Sequence, residues 1–356
     1  MITLWNEFLA QQGAVFNEDK QSIAHFAMPE IERHMMRHGA VMTSLTATGL
    51  IRFSGEDAKT FLQSQLTQDV SLVTNEQAQL AAYCDPQGQV LGLGVLFLYN
   101  DAYYWQVARD TLPALLKRFK MFVMRSKVDC EDFSDLLPRF GYAGVHAAQD
   151  MLVLLNEKLP ETAYAQHAIE QEGLSDIIAI RLPTAHPCAL LIGTLPNIAH
   201  LWDRLETNGT PVGNADWDLM DLAFGLPQVT AANAGTTTAH LFNLERLGAI
   251  SFKKGCYPGQ EVIARMQYRG KPTKRMMRFH TLASIAPAVG SELMVTYGDN
   301  RSQTLTVVRS GADLNEGTLL LAIASIKGVE DAQGEFFMED GSSLLMEPMG
   351  YALENL

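Results

Sequence analysis

The sequence predicts an α+β protein of 356 residues: two mixed units of antiparallel strands and helices, then a small C-terminal β-barrel. Three observations predict it. Strand-like runs come in groups separated by single helices, not in the regular strand–helix alternation of a doubly wound sheet. No Gly-x-Gly-x-x-Gly follows a strand and no phosphate-loop pattern occurs, so nucleotide-binding folds have little support. After Arg278 the chain breaks into short strands punctuated by Gly290, Gly298-Asp299-Asn300, Gly311, Gly317 and Gly341, the rhythm of a small barrel.

The elements follow in order. Met1–Gln12 reads as a short amphipathic helix. Val41–Ser54 reads as strands around a turn, with Leu45, Ile51 and Phe53 as core candidates. Gly55-Glu56-Asp57 leads into a helix carrying Phe61, Leu62, Leu66 and Val70. Leu80–Cys84, Val90–Tyr99 and Tyr103–Val107 read as antiparallel strands, with turns at Pro86-Gln87-Gly88 and Asn100-Asp101. Asp110–Val123 is a helix with Leu112, Leu115, Leu116, Phe119 and Phe122 inward. Val128–Leu137 is expected to leave this unit. Phe140–Val145, Ile177–Leu182 and Ala189–Gly193 then read as strands of a second unit, closed by a helix over Leu195–Thr207. Asp216–Phe224 is a further helix, ended by Gly225-Leu226-Pro227.

A content of 47% hydrophobic and 19% charged residues is that of a globular chain able to bury a sizeable core. No apolar run reaches the length of a membrane span. The first residues carry Glu7 and no basic region, unlike a signal peptide. Cys84, Cys130, Cys188 and Cys256 show neither zinc-site nor disulfide spacing, so a reducing cytoplasm fits best. No metal-ligand set stands out; His34 and His38, at i and i+4, read as a solvated helix face.

The charge is unevenly placed. From Lys253 to Arg278 there are eight basic residues (Lys253, Lys254, Arg265, Arg269, Lys271, Lys274, Arg275, Arg278) and one acid, Glu261, a net +7. The whole chain is −13, so the remainder carries −20. Such an island suits an anionic ligand or partner, RNA among them. At its start lies Cys256. Gly255 lets the backbone turn, Pro258 suits the first turn of a helix, and Glu261 follows in that turn. Val262, Ile263 and Met266 make an apolar face; Glu261, Arg265, Tyr268 and Arg269 make another. A thiol beside Lys253, Lys254 and a helix start is held toward thiolate. A lone cysteine is more often a small buried hydrophobe, but the Lys-Lys-Gly and Tyr-Pro-Gly flanks argue for function.

Lys254-Gly255-Cys256-Tyr257, Gly259-Gln260-Glu261, Ala264-Arg265 and Arg269-Gly270 together resemble the signature of the YgfZ family, folate-binding proteins related to the glycine-cleavage T-protein. Ser54-Gly55-Glu56-Asp57-Ala58, Phe61-Leu62-Gln63, Thr67-Gln68-Asp69-Val70 and Asp85-Pro86-Gln87-Gly88-Gln89-Val90 are similar to blocks shared with the T-protein. So are Ser126-Lys127-Val128 and Trp217 through Pro227. The resemblance implies two mixed domains and a barrel around a central opening. Residues 1–130 with 210–275 would form a split folate-binding domain, 131–209 the second domain, and 276–356 the barrel. It further implies a bound tetrahydrofolate, a role in iron–sulfur cluster synthesis or repair and in tRNA modification, and iron–sulfur client enzymes as partners.

On that basis Cys256 is the reactive residue. Trp217, Asn243, Lys253, Lys254, Tyr257, Gln260, Glu261, Arg265 and Arg269 are the candidate cofactor contacts. Trp217 also fits a plain core anchor. Thr48 stands where the family carries an aromatic, and His240 where a Gln or Glu is expected. The paired aspartates of the T-protein fall on Gly92 and Leu93, which cannot transfer a proton, so aminomethyl transfer is not expected. The competing readings are a folate-dependent one-carbon transferase and a non-catalytic module that docks on RNA or protein.

Overall fold

Alternating apolar positions build the sheets, and single helices cover them. The computed structural model describes residues 3–26, 28–45, 47–270, 272–298 and 301–353. Four expectations touch other residues: Met1 and Ile2 of the first helix, Thr46 within Val41–Ser54, Lys271 of the basic island, and Asp299-Asn300 of a barrel turn lie outside the described residues. The chain divides into two compact units: residues 1–59, 71–79 and 95–218, and residues 60–70, 80–94 and 219–356.

In the first unit a six-stranded sheet has the order Gln166–Gln171, Leu174–Arg181, Cys188–Gly193, Arg139–Gly144, Ala40–Ser44, Gly209–Pro211. Neighbours are antiparallel except the last pair. Helices Leu4–Gln11, Ala147–Leu155 and Leu195–Leu205 close its core around Trp202, which meets Trp5 and Phe140 edge to face at 5.8 and 5.1 Å between ring centres. A second group of strands, Ala102–Ala108, Thr48–Ser54 and Asp129–Asp132, also lies here. Helix Leu112–Val123 packs Phe119 edge to face on Phe53 and Trp105, at 5.1 and 5.9 Å.

Three readings change. Val41–Ser54 does hold two strands, but Ala40–Ser44 pairs with Arg139–Gly144 while Thr48–Ser54 pairs with Ala102–Ala108. They enter different sheets, because each finds its apolar match in a distant strand. Val128–Leu137 does not leave at once: Asp129–Asp132 first adds an edge strand to Thr48–Ser54. Phe122 is 46% exposed. On a helical wheel it falls about 20° outside the arc spanned by Leu112, Leu115, Leu116 and Phe119. The sequence pattern also passed over helix Ala147–Leu155 and strand Gln166–Gln171.

The second unit contains the hairpin turn between Gln79–Cys84 and Val90–Tyr99, helix Gln260–Arg269 and the expected closed barrel. The barrel order is Lys274–Thr281, Thr318–Ser325, Arg301–Ala312, Glu292–Tyr297, Glu335–Phe337, Ser343–Glu347, returning to the first strand. Phe279, Phe336 and Tyr297 stack edge to face in its core, at 6.0 and 5.5 Å between ring centres. Among the described residues no helix is long and apolar enough to cross a membrane.

Candidate functional site: an anchored cysteine loop

The loop that carries Cys256 is tied down on both sides. Upstream, the Ser251 N–H donates to Thr67 O at 3.0 Å. The buried Thr67 hydroxyl donates to Ala249 O at 2.6 Å and accepts from the Ala82 N–H at 3.0 Å. Lys254 then turns inward. It is only 9% exposed, and its Nζ donates to Leu66 O at 2.7 Å and Gln68 O at 2.9 Å. The ammonium also sits 5.3 Å from the centre of the Tyr257 ring.

Downstream, Gly259 adopts φ +82°, the left-handed region that favours glycine. A Cβ there would lie 2.6 Å from Asp85 O and 2.8 Å from Gly88 Cα. The loop is therefore seated directly on the hairpin turn. That turn is itself rigid, because the Asp85 carboxylate accepts from the N–H groups of Gln87 and Gln89, each at 2.9 Å. Gly259 caps helix Gln260–Arg269, with Glu261 in its first turn and Ile263 buried. Tyr257 is buried too.

Between the anchors, Gly255 and Cys256 are exposed. Cys256 is a free, exposed thiol, whereas Cys84, Cys130 and Cys188 are free and buried. Burial pushes the Cys84 thiol far above its usual range, the neighbouring Asp85 adding to it. Burial pushes the Cys130 thiol up to about 11. Only Cys256 is thus both reachable and carried by a fixed backbone.

The structure redistributes the expected contacts. Lys254 does not flank the thiol as an open cation; two carbonyls hold its ammonium inside, an anchor for the loop. Burial lowers its pKa to about 8, with Asp69 opposing. Pro258 lies just before the Gly259 cap, not in the first turn, because the left-handed Gly259 delays the helix by a residue. Val262 is 37% exposed, so Ile263 alone fills the expected apolar face in full. Asn243 is fully buried and committed: its Nδ2 donates to Met276 O at 2.8 Å and the Tyr351 hydroxyl at 3.2 Å, and its Oδ1 accepts from Arg275 at 3.1 Å. Arg275 forms a buried ion pair with Glu245 at 2.6 Å, and Arg278 pairs with Glu347 at 3.1 Å. Lys253, Glu261, Arg265 and Arg269 are exposed, and Gln260 is half-buried.

Trp217 belongs to the first unit, on helix Asn214–Phe224. It is 4% exposed, and a Cβ on Gly141 would overlap its ring at 2.1 Å. It is a packed wall here, not an open stacking face. Thr48 is likewise engaged: its hydroxyl donates to Leu45 O at 2.7 Å and accepts from Arg139 at 3.0 Å. The anchoring roles of Leu66, Thr67, Asp85 and Gly88 were not assigned from sequence. Thr67, Asp85 and Gly88 sit in the Thr67-Gln68-Asp69-Val70 and Asp85-Pro86-Gln87-Gly88-Gln89-Val90 blocks, and Leu66 directly precedes the first, so the signal was there without the job.

The Lys254 anchor makes a pH-dependent expectation. The unfolded chain keeps this proton up to the ordinary value of 10.5, while the folded chain releases it near 8. Between those values the unfolded state binds more protons, so this position adds stability as pH rises. The neutral amine still has two N–H groups for the two carbonyls. From pH 7 to 9.5 the stability of wild type should gain about 2 kcal/mol relative to Lys254→Met. Urea unfolding of both proteins at the two pH values measures this; a constant difference would remove the buried cation from the account.

Comparison with known proteins places this arrangement. No family model matches the chain. Its fold is similar to glycine cleavage system aminomethyltransferase T from Bartonella henselae, with a TM-score of 0.75 over 97% of this chain and 96% of that one, at 14% identity. The likeness defines the class as an aminomethyltransferase T-type fold. Across 314 residues, 88% of this chain and 94% of the other, it is 30% identical to tRNA-modifying protein YgfZ of Klebsiella pneumoniae (strain 342). The chain belongs to the YgfZ family.

Proposed function

We propose that this chain is a folate-binding protein that takes part in tRNA modification, with Cys256 as its reactive group. Its partners would be cytoplasmic enzymes that carry iron–sulfur clusters, and the Cys256 sulfur would serve their synthesis or repair. The observation that carries the reading is the thiol loop: one exposed cysteine between two anchors, with the other three buried. The name of the Klebsiella relative supports the tRNA connection.

Tetrahydrofolate comes from the family. A bound folate would supply a one-carbon carrier and an anionic glutamate tail. Of the candidate contacts, Lys253, Arg265 and Arg269 are exposed cations of the second unit. Asn243 does not fit, since its polar atoms are engaged within the protein, and Trp217 would have to be uncovered to meet a pterin. Gly92 and Leu93 are both buried and carry no ionisable group, so aminomethyl transfer is not part of the proposal.

Calorimetry with tetrahydrofolate tests the ligand. Wild type should bind, and Trp217→Phe should bind at least ~10-fold more weakly if the pterin meets that ring. Absence of heat with wild type removes the folate; equal affinity in the variant leaves Trp217 as a core anchor only.

A further inference from the structure

The outward stripe of helix Gln260–Arg269 is left without a role by the thiol loop. It presents Glu261, Arg265, Tyr268 and Arg269 within about 100° of arc. Tyr268 is 71% exposed, far more than a tyrosine packed for stability. Its ring is nevertheless held, because Phe252 meets it edge to face at 6.0 Å and 70°. An edge-on neighbour fixes the orientation of the ring and leaves a face open.

Arg265 and Arg269 share the stripe with Tyr268, and Lys253 follows the bracing Phe252 in the chain. Arg265, Arg269, Lys253 and Lys274 are all exposed. Among the described residues none of the four has an acidic partner, unlike Arg275 and Arg278 of the same island. Glu261 is the one acid on the stripe. In a chain of net charge −13 this is unneutralised positive charge beside a fixed, exposed aromatic.

We propose that Tyr268, braced by Phe252 and flanked by Arg265, Arg269 and Lys253, is a stacking platform for an unpaired base of an RNA strand. The guanidinium and ammonium groups hold phosphates on either side of that base. Stacking asks only for a free base face, which a single strand or a loop offers and an intact duplex does not. The charges supply affinity through counterion release, and the ring supplies the preference for unpaired RNA. A protein partner would bury this ring among apolar groups, and the unpaired cations oppose that. The proposal rests on the tRNA-directed role above and names the surface that would serve it.

Fluorescence anisotropy of the full chain tests it, with an in vitro transcribed tRNA and a blunt RNA duplex as probes. The substituted positions are exposed, and thermal melts confirm that each variant is folded. Wild type should bind the tRNA more tightly than the duplex. Tyr268→Ala should weaken tRNA binding about 5- to 100-fold, while Tyr268→Phe stays close to wild type. Arg265→Gln with Arg269→Gln should reduce the slope of log affinity against log salt by about 1.4. Wild-type affinity in Tyr268→Ala, equal binding of the duplex, or no binding at all would overturn the platform. Displacement of the RNA by tetrahydrofolate at concentrations that saturate its own site would assign the arginines to the folate tail and overturn it too. Cys256→Ser should bind the tRNA as wild type does. If that variant also supports tRNA modification in cells, the thiol reading fails and the platform stands.

Discussion

Gly259→Ala should cost on the order of 3 kcal/mol and release the Cys256 loop from the hairpin beneath it. Two effects add. A residue with a Cβ at φ +82° carries a left-handed penalty of roughly 1–2 kcal/mol. The new methyl would also stand 2.6 Å from Asp85 O and 2.8 Å from Gly88 Cα. Both are backbone atoms of a turn braced by the Asp85 carboxylate, so neither side can give cheaply. Gly255→Ala is the matched control. It has open space around it and no positive φ, so a change within about 0.5 kcal/mol is expected there. Urea midpoints of both variants check the contrast. Equal stability in the two would mean that the loop does not sit on the turn.

Arg275→Met should cost more, about 3–5 kcal/mol, because it strands a buried carboxylate. Arg275 reaches Glu245 at 2.6 Å and Asn243 at 3.1 Å, and the Glu245 side chain is only 5% exposed. Asn243 in turn donates to the Tyr351 hydroxyl, which donates to Gly225 O at 3.0 Å. One ion pair thus ties together a barrel strand, the loop at residues 243–245 and the C-terminal segment. Adding Glu245→Leu to Arg275→Met should recover most of the loss, since removing both charges leaves nothing uncompensated. A single variant that loses less than about 1 kcal/mol would show that the pair is solvated.

Much of this was legible in the sequence. The barrel followed from turn residues at short intervals, and the hairpin from Pro86-Gln87-Gly88 between apolar runs. The thiol loop followed from flanks that no buried cysteine needs. What was illegible is long-range pairing. A lysine reads as surface unless its partners are known, and those of Lys254 lie 188 and 186 residues away at Leu66 and Gln68. Asn243 read as a ligand contact because nothing local says that Met276, Arg275 and Tyr351 converge on it. The basic island read as uniform, yet Lys254 and Arg275 are buried while Lys253, Arg265 and Arg269 face outward. Sequence density of charge cannot tell an anchor from a docking surface. Ala40–Ser44 and Thr48–Ser54 read as neighbours for the same reason: strand patterning gives the strand, not its partner.

The central claim is that the fold presents one cysteine and shields the rest. Its most direct test is iodoacetamide labelling of the native chain, followed by peptide mapping over time. Cys256 should take up label at least about 100-fold faster than Cys84, Cys130 and Cys188, which must wait for local opening. In Gly259→Ala the label should still enter Cys256 first, and the buried Cys84 beside the loosened turn should become the next site. Label spread evenly over all four cysteines, or a Cys256 that reacts no faster than the buried three, would contradict the account.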